Sequence, residues 1–211
     1  MCPTLYVIVT TVGGILAGLA LAGALLWRQQ QALAAARYEA THDEVTGMPN
    51  RRLFLTHLRA ALADTTPVGV VLLDLNRFKT VNDTLGHDAG NDLLDQIGRL
   101  LTRIPTPVRI AARLSGDEFA LLVSGDRDDT AAVAHTVWQV IAAEPIRVVN
   151  GPLRVTASVG YTHLHQPSAT PRQLLAQADA AMYAAKHTGS GVCEYQPHRT
   201  PTARSRDRHL R

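Results

Sequence analysis

The sequence predicts an α/β fold, a central, mainly antiparallel sheet flanked by helices, preceded by an N-terminal transmembrane helix. Three observations carry this. Leu5 to Trp27 holds no charged residue. After it, periodic segments follow in the order helix, strand, helix, hairpin, helix, hairpin, helix. Two apolar runs, 108–112 and 120–123, flank Arg113-Leu114-Ser115-Gly116-Asp117-Glu118-Phe119, which reads as a hairpin with its turn at Ser-Gly-Asp.

Leu5 to Trp27 as a helix is about 34 Å long, enough to cross a hydrocarbon core of about 30 Å. A buried core helix or a cleaved signal peptide are the alternatives. Met1 to Thr4 has no Lys or Arg, unlike the basic start of a signal peptide. An uncleaved anchor, 1–27, is the expectation. Arg28 and Arg37 follow the span, so the positive-inside rule puts the body in the cytoplasm, held by one pass through the cytoplasmic (inner) membrane. Gly14, Gly18 and Ala22 form a small-residue face that suits contact between two such helices. Residues 28–41, rich in Ala and Gln, continue as a helical linker.

The soluble domain is expected over 42–195. Asn50 caps a helix over Arg51 to Ala63, with Leu53, Phe54, Leu58, Ala61 and Leu62 on one face. Val68 to Leu75 is a near-continuous apolar run, a strand buried on both faces and carrying Asp74 near its end. Asn76 to Asn91 reads as a polar, Gly-punctuated stretch leading into a helix over Asn91 to Thr102. After the first hairpin, Asp129 to Ala143 is an amphipathic helix with Val133, Val137, Val140 and Ile141 inward. Ile146 to Val149 and Leu153 to Tyr161 are strands joined through Asn150-Gly151. Thr170-Pro171-Arg172-Gln173 starts a helix running to about Lys186. Val192 to Tyr195 is a last short strand.

Two cysteines, Cys2 and Cys193, supply neither a disulfide framework nor a metal-ligand pattern. The net charge is +3, but residues 196–211 carry five Arg against one Asp. The body is therefore near neutral, and nucleic-acid binding by the folded part is not indicated. The Pro-, Arg- and Ser-rich 196–211 reads as a disordered basic tail.

The chemistry concentrates in acids. Asp74 near the end of a buried strand needs a partner, because a buried unpaired carboxylate is costly. Asp117 and Glu118 sit side by side at a hairpin tip. Taken alone they read as a solvated turn. Converging with Asp74 over one sheet edge, the three would suit a hard divalent cation such as Mg²⁺.

Five ordered motifs resemble the GGDEF family of diguanylate cyclases over about His42 to Tyr195. They are Asp43-x-Val45-Thr46-Gly47-Met48-Pro49-Asn50-Arg51-Arg52; Asp74-x-x-x-Phe78-Lys79-x-Val81-Asn82-Asp83-x-x-Gly86-His87-x-x-Gly90; Arg113-x-Ser115-Gly116-Asp117-Glu118-Phe119; Ser158-Val159-Gly160; and Ala178-Asp179-x-Ala181-Met182-Tyr183-x-Ala185-Lys186. The resemblance implies a palm-like nucleotidyl-cyclase fold. It also implies condensation of two GTP into cyclic di-GMP with release of two pyrophosphates, by a homodimer. Asp74, Glu118 and the carbonyl of Leu75 would then hold Mg²⁺ (or Mn²⁺), and Asp117 would assist the attacking ribose hydroxyl. Phe78, Lys79 and Lys186 would meet phosphates. Asn82 and Asn91 would meet guanine. Ser115 and Gly116 would lie under the nucleotide.

Departures from the family pattern are local. Ser115 replaces the first Gly of the signature, and its hydroxyl is expected to crowd the nucleotide. Asn91 replaces an Asp that accepts from guanine, which weakens the expected selectivity. Ser190 stands where a phosphate-binding Arg is usual. Thr106 to Arg109 match neither end of the Arg-x-x-Asp product-inhibition site, so feedback there is not expected. Asn76 replaces a commoner Asp while Asp74 is kept. Ser115, Asn91 and Ser190 together motivate the alternative, an impaired domain serving as a GTP-binding or dimerisation module.

Overall fold

The computed structural model describes residues 3–64, 66–149, 151–164 and 169–197, with only the backbone given for 3–13 and 15–17. The chain divides into two compact units, residues 1–40 and 41–211. The first is a single helix, α1 (Pro3–Glu39), with Leu19, Leu21, Leu25, Leu26 and Trp27 exposed on it. Among the described residues, no helix is long and apolar enough to cross a membrane. Much of the expected span, Leu5 to Trp27, lies outside the residues whose side chains are described. The same holds for Asn150 of the second hairpin and for 198–211 of the expected tail.

The second unit begins with α2 (Arg51–Ala63). The Asn50 side chain caps it by accepting from the backbone N–H groups of Arg52 and Leu53, at 3.0 and 3.2 Å. Then follow β1 (Val68–Leu75), α3 (Phe78–Leu85), α4 (His87–Thr102), β2 (Val108–Ser115), β3 (Glu118–Ser124) and α5 (Arg127–Ala143). Beyond them come β4 (Ile146–Val148), β5 (Gly151–Leu153), β6 (Ala157–His163), α6 (Pro171–Thr188) and β7 (Val192–Glu194). Five strands form one sheet in the order β2-β3-β1-β6-β7. Three of its ladders are antiparallel and β6–β7 is parallel, so the sheet is mixed but mainly antiparallel.

The buried central strand sorts its side chains by period two. Val71, Leu73 and Leu75 join Phe119, Leu121 and Val159 against α4 and α5. Val70 and Leu72 join Ala120 and Leu122 on the other face, against Phe54 and Leu58 of α2 and Leu174, Ala178 and Met182 of α6. Both faces of β1 are covered, which is why its sequence is apolar throughout rather than alternating.

Two expectations need correction. The polar stretch 76–91 is not a loop: α3 occupies most of it, and α4 starts at His87 rather than Asn91. Val81 of α3 and Ala89 of α4 are buried, and Gly86 at φ 86° turns the chain between the two helices. Leu153 to Tyr161 is not one strand. Gly151–Leu153 closes the small hairpin on β4, and β6 enters the main sheet only at Ala157. Between them, the Thr156 carbonyl accepts from the Asn76 N–H at 2.9 Å.

Helix α6 lies directly on β6 at Gly160. A Cβ there would collide with the Met182 N and the Ala178 O of the α6 backbone. Backbone cannot rotate away as a side chain can, so Gly160→Ala is expected to cost about 2 kcal/mol or more, read from the midpoint of urea unfolding. An unchanged midpoint would contradict this packing.

Candidate functional site

The register of the sheet builds the site. Asp74 stands opposite Glu118 in the β1–β3 ladder and opposite Ser158 in the β1–β6 ladder. Directly opposed residues on antiparallel strands have Cβ atoms about 5 Å apart, so two carboxylates face one another there. Asp74 is only 4% exposed. Its Oδ1 accepts from Lys186 Nζ of α6 at 2.6 Å, which supplies the partner that a buried acid requires.

Asp117 does not join them as expected. Among the described residues no three acidic or other metal-ligating side chains form a cluster. Asp117 sits in the hairpin turn, outside β3, which begins at Glu118. What Asp117 supplies near Asp74 is its backbone carbonyl, which accepts from the Leu75 N–H at 3.3 Å. The donor set still fits a small hard cation. Two opposed carboxylates and neighbouring carbonyl oxygens match an ion that takes one or two carboxylates and completes its shell with water and phosphate oxygens.

The signature hairpin turns at Gly116, φ 51°, with open space around it. Ser115 Oγ donates to Glu118 Oε2 at 3.2 Å, across the turn with which it is in register. The Ser hydroxyl is therefore directed at an acid of the site. Lys79 is exposed in the first turn of α3, and Phe78 is half-buried before it. The Asn82 amide and the Phe78 ring lie over Gly90 of α4, where an added Cβ would strike Asn82 Oδ1. Asn91, the next residue of α4 after Gly90, is exposed. Ser190 is bound up locally, with hydrogen bonds to Thr188 Oγ1 at 3.0 Å and to the Val192 carbonyl at 3.3 Å.

Two supports escape the sequence pattern. Asn76 clamps the end of β1 to the start of β6. Its Nδ2 donates to Thr156 Oγ1 at 2.9 Å, and its Oδ1 accepts from Ser158 Oγ at 2.8 Å. An amide can do both at once, whereas a carboxylate only accepts. The second support is Arg113. Its Nε donates to the Gly116 carbonyl at 2.9 Å and its guanidinium pairs with Asp43 Oδ1 at 2.8 Å. Asp43 also accepts from the Thr46 backbone and hydroxyl. Asp43 and Arg113 each lie in a quoted motif, but nothing in their 70-residue separation signals the contact.

Burial pushes the Asp43 carboxyl up. The hydrogen bonds from Arg113 and Thr46, together with the Arg113 charge, outweigh it and hold the group below the usual carboxylate range.

The chain resembles known proteins over most of this unit. A family model described as diguanylate cyclase, GGDEF domain, matches residues 40–191. A diguanylate cyclase, TpbB, from Pseudomonas aeruginosa is 34% identical over 171 residues, covering 78% of this chain and 39% of that relative. An uncharacterized protein of Mycobacterium tuberculosis is 36% identical over 174 residues, 79% of this chain and 28% of its own length. The chain thus spans well under half the length of these curated relatives. Among solved structures, the coiled coil and GGDEF domain of DgcB from Caulobacter crescentus, in complex with c-di-GMP, superposes with a TM-score of 0.77 at 26% identity. That match covers 84% of this chain and 97% of the other. The GGDEF domain of TpbB superposes at 0.67 with 32% identity, covering 74% and 94%.

A depressed carboxyl pKa stabilises the fold above the unfolded value of about 3.9 and loses that contribution as pH falls through the folded value. Arg113→Ala is therefore expected to lower unfolding stability by about 2 kcal/mol near pH 7, where the Asp43 carboxylate is left unpaired. The gap to wild type should narrow as pH falls below the ordinary carboxylate value of about 3.9 and through the lower folded value of Asp43. Denaturant unfolding at pH 7 and pH 3 checks this; a gap that stays constant with pH would contradict it.

Proposed function

The chain belongs to the GGDEF domain family, and on that premise we propose that it is a membrane-anchored diguanylate cyclase. In this reading it condenses two GTP into cyclic di-GMP and releases two pyrophosphates. It works as a homodimer, because each protomer presents one set of acids and one bound GTP. The observation that carries the reading is the Asp74–Glu118 pair, two acids opposed across a ladder with Lys186 against one of them.

Asp74, Glu118 and the Leu75 carbonyl would hold Mg²⁺ or Mn²⁺. Bound there, the ion would offset the triphosphate charge and polarise the α-phosphoryl group. The other roles belong to the chain's own residues. Lys79 and Lys186 hold phosphate oxygens, with the Phe78 backbone beside them. Gly116 leaves room for the nucleotide to approach the hairpin tip. Ser115 orients the Glu118 carboxylate by hydrogen bond. Asp117 accepts the proton of the ribose 3′-hydroxyl as it attacks. Asn82 and Asn91 read the guanine edge.

The uncharged run Leu5 to Trp27 supports a single-pass anchor in the cytoplasmic membrane, with 28–41 as linker and the catalytic unit on the cytoplasmic side. The Gly14-Gly18-Ala22 face suits pairing of two copies. A second reading, an impaired domain that binds GTP without turnover, rests on Ser115, Asn91 and Ser190 together, which would weaken nucleotide contacts. The opposed acids and Lys186 are intact, which favours turnover.

Purified full-length chain in detergent, given GTP and Mg²⁺, is expected to form cyclic di-GMP. Glu118→Ala should cut the rate by roughly a thousandfold. GTP binding without any product in the wild-type chain would favour the impaired reading. Asn91→Asp restores a two-acceptor group toward guanine and should raise the GTP-over-ATP preference by about tenfold. An unchanged preference would remove Asn91 from the guanine site.

A further inference from the structure

A second site lies on α2, away from the opposed acids. A concavity of about 480 Å³ is lined by Asn50, Arg51, Arg52, Leu55, Arg59 and Leu114. Half of that lining is arginine and none of it is acidic. Among the described residues, Arg51, Arg52 and Arg59 make no ion pair, while Arg99, Arg113 and Arg127 each hold a carboxylate. Arg52, Leu55 and Arg59 follow i, i+3, i+7 spacing, so they form one stripe along α2. That stripe lies on a different face of α2 from the buried stripe of Phe54, Leu58 and Ala61. The guanidiniums are thus spent neither on the core nor on a neighbouring acid.

We propose that this concavity binds a phosphate ester of nucleotide size, at a site separate from Asp74 and Glu118. Guanidinium forks match phosphate oxygens two at a time, and three arginines line this shallow hollow. Leu55 and Leu114 supply apolar wall for a planar body attached to the phosphate. The volume falls in the range of small-ligand sites. The position also matters. Leu114 immediately precedes Ser115 of the signature hairpin, and the Arg113 N–H donates to the Pro49 carbonyl at 2.9 Å beside Asn50. An occupant therefore touches both sides of the seam between the 42–50 loop and the hairpin. The proposal does not depend on cyclase activity.

The test is calorimetric titration of the full chain in detergent with AMP, in EDTA, so that neither guanine recognition nor a divalent ion contributes. The expected result is saturable binding of about one AMP per chain. Arg52→Glu with Arg59→Glu should weaken it by about tenfold or more, and Lys186→Ala should leave it unchanged. Inorganic phosphate should bind severalfold more weakly than AMP, since it cannot use the leucine wall. Both arginines are exposed, so the double variant should keep its melting temperature. If it does not, Arg52→Gln with Arg59→Gln serves in its place. No saturable binding, full affinity in the arginine variants, loss on Lys186→Ala, or equal affinity for phosphate and AMP would each overturn the proposal.

Discussion

The second unit, residues 41–211, is arranged around one electrostatic conflict. The β1–β3 register sets Asp74 against Glu118, and the helices that cover the sheet leave Asp74 almost without solvent. Two carboxylates held together in that setting repel, and the conflict is relieved only by positive charge. Lys186 of α6 supplies one such charge at 2.6 Å. A site that holds two acids beside a single lysine is suited to admitting further cationic charge and the phosphates that accompany it.

The surrounding structure keeps that conflict in place. Gly160 lets α6 lie directly on β6, which brings Lys186 to the end of β1. Asn76 ties the end of β1 to the entry of β6 through Thr156 and Ser158, and Ser158 is the neighbour of Asp74 on that side. On the opposite side, Arg113 fixes the hairpin tip to the loop that precedes α2. Changes in that loop would be felt at the hairpin through this contact, since the chain enters the unit there.

The outline of the fold is legible in the sequence, and the site is legible in part. Strand β1 and helix α2 match their predicted bounds because burial on two faces and an Asn cap leave strong local marks. Helix α3 is hidden because Val81 is its one buried residue, too little for a helical stripe to stand out. The break between β5 and β6 is hidden because β-branched residues run through it, and only long-range pairing decides where each strand ends. Asp74 and Glu118 lie in quoted motifs, and the β1–β3 register sets them opposite one another. No cluster of all three acids forms among the described residues; Asp117 lies in the hairpin turn, outside the β1–β3 ladder that opposes the other two. Arg113–Asp43 and the Asn76 clamp are contacts across 70 and about 80 residues, which no local pattern encodes.

The most direct test is to locate a divalent ion. Crystals of the chain grown with Mn²⁺ and a non-hydrolysable GTP analogue would be measured for anomalous scattering. The account predicts a peak at about 2.1 Å from carboxylate oxygens of both Asp74 and Glu118, with Lys186 drawn to phosphate. Nucleotide bound with no manganese between those two acids, or manganese held elsewhere while Lys186 stays on Asp74, would contradict it.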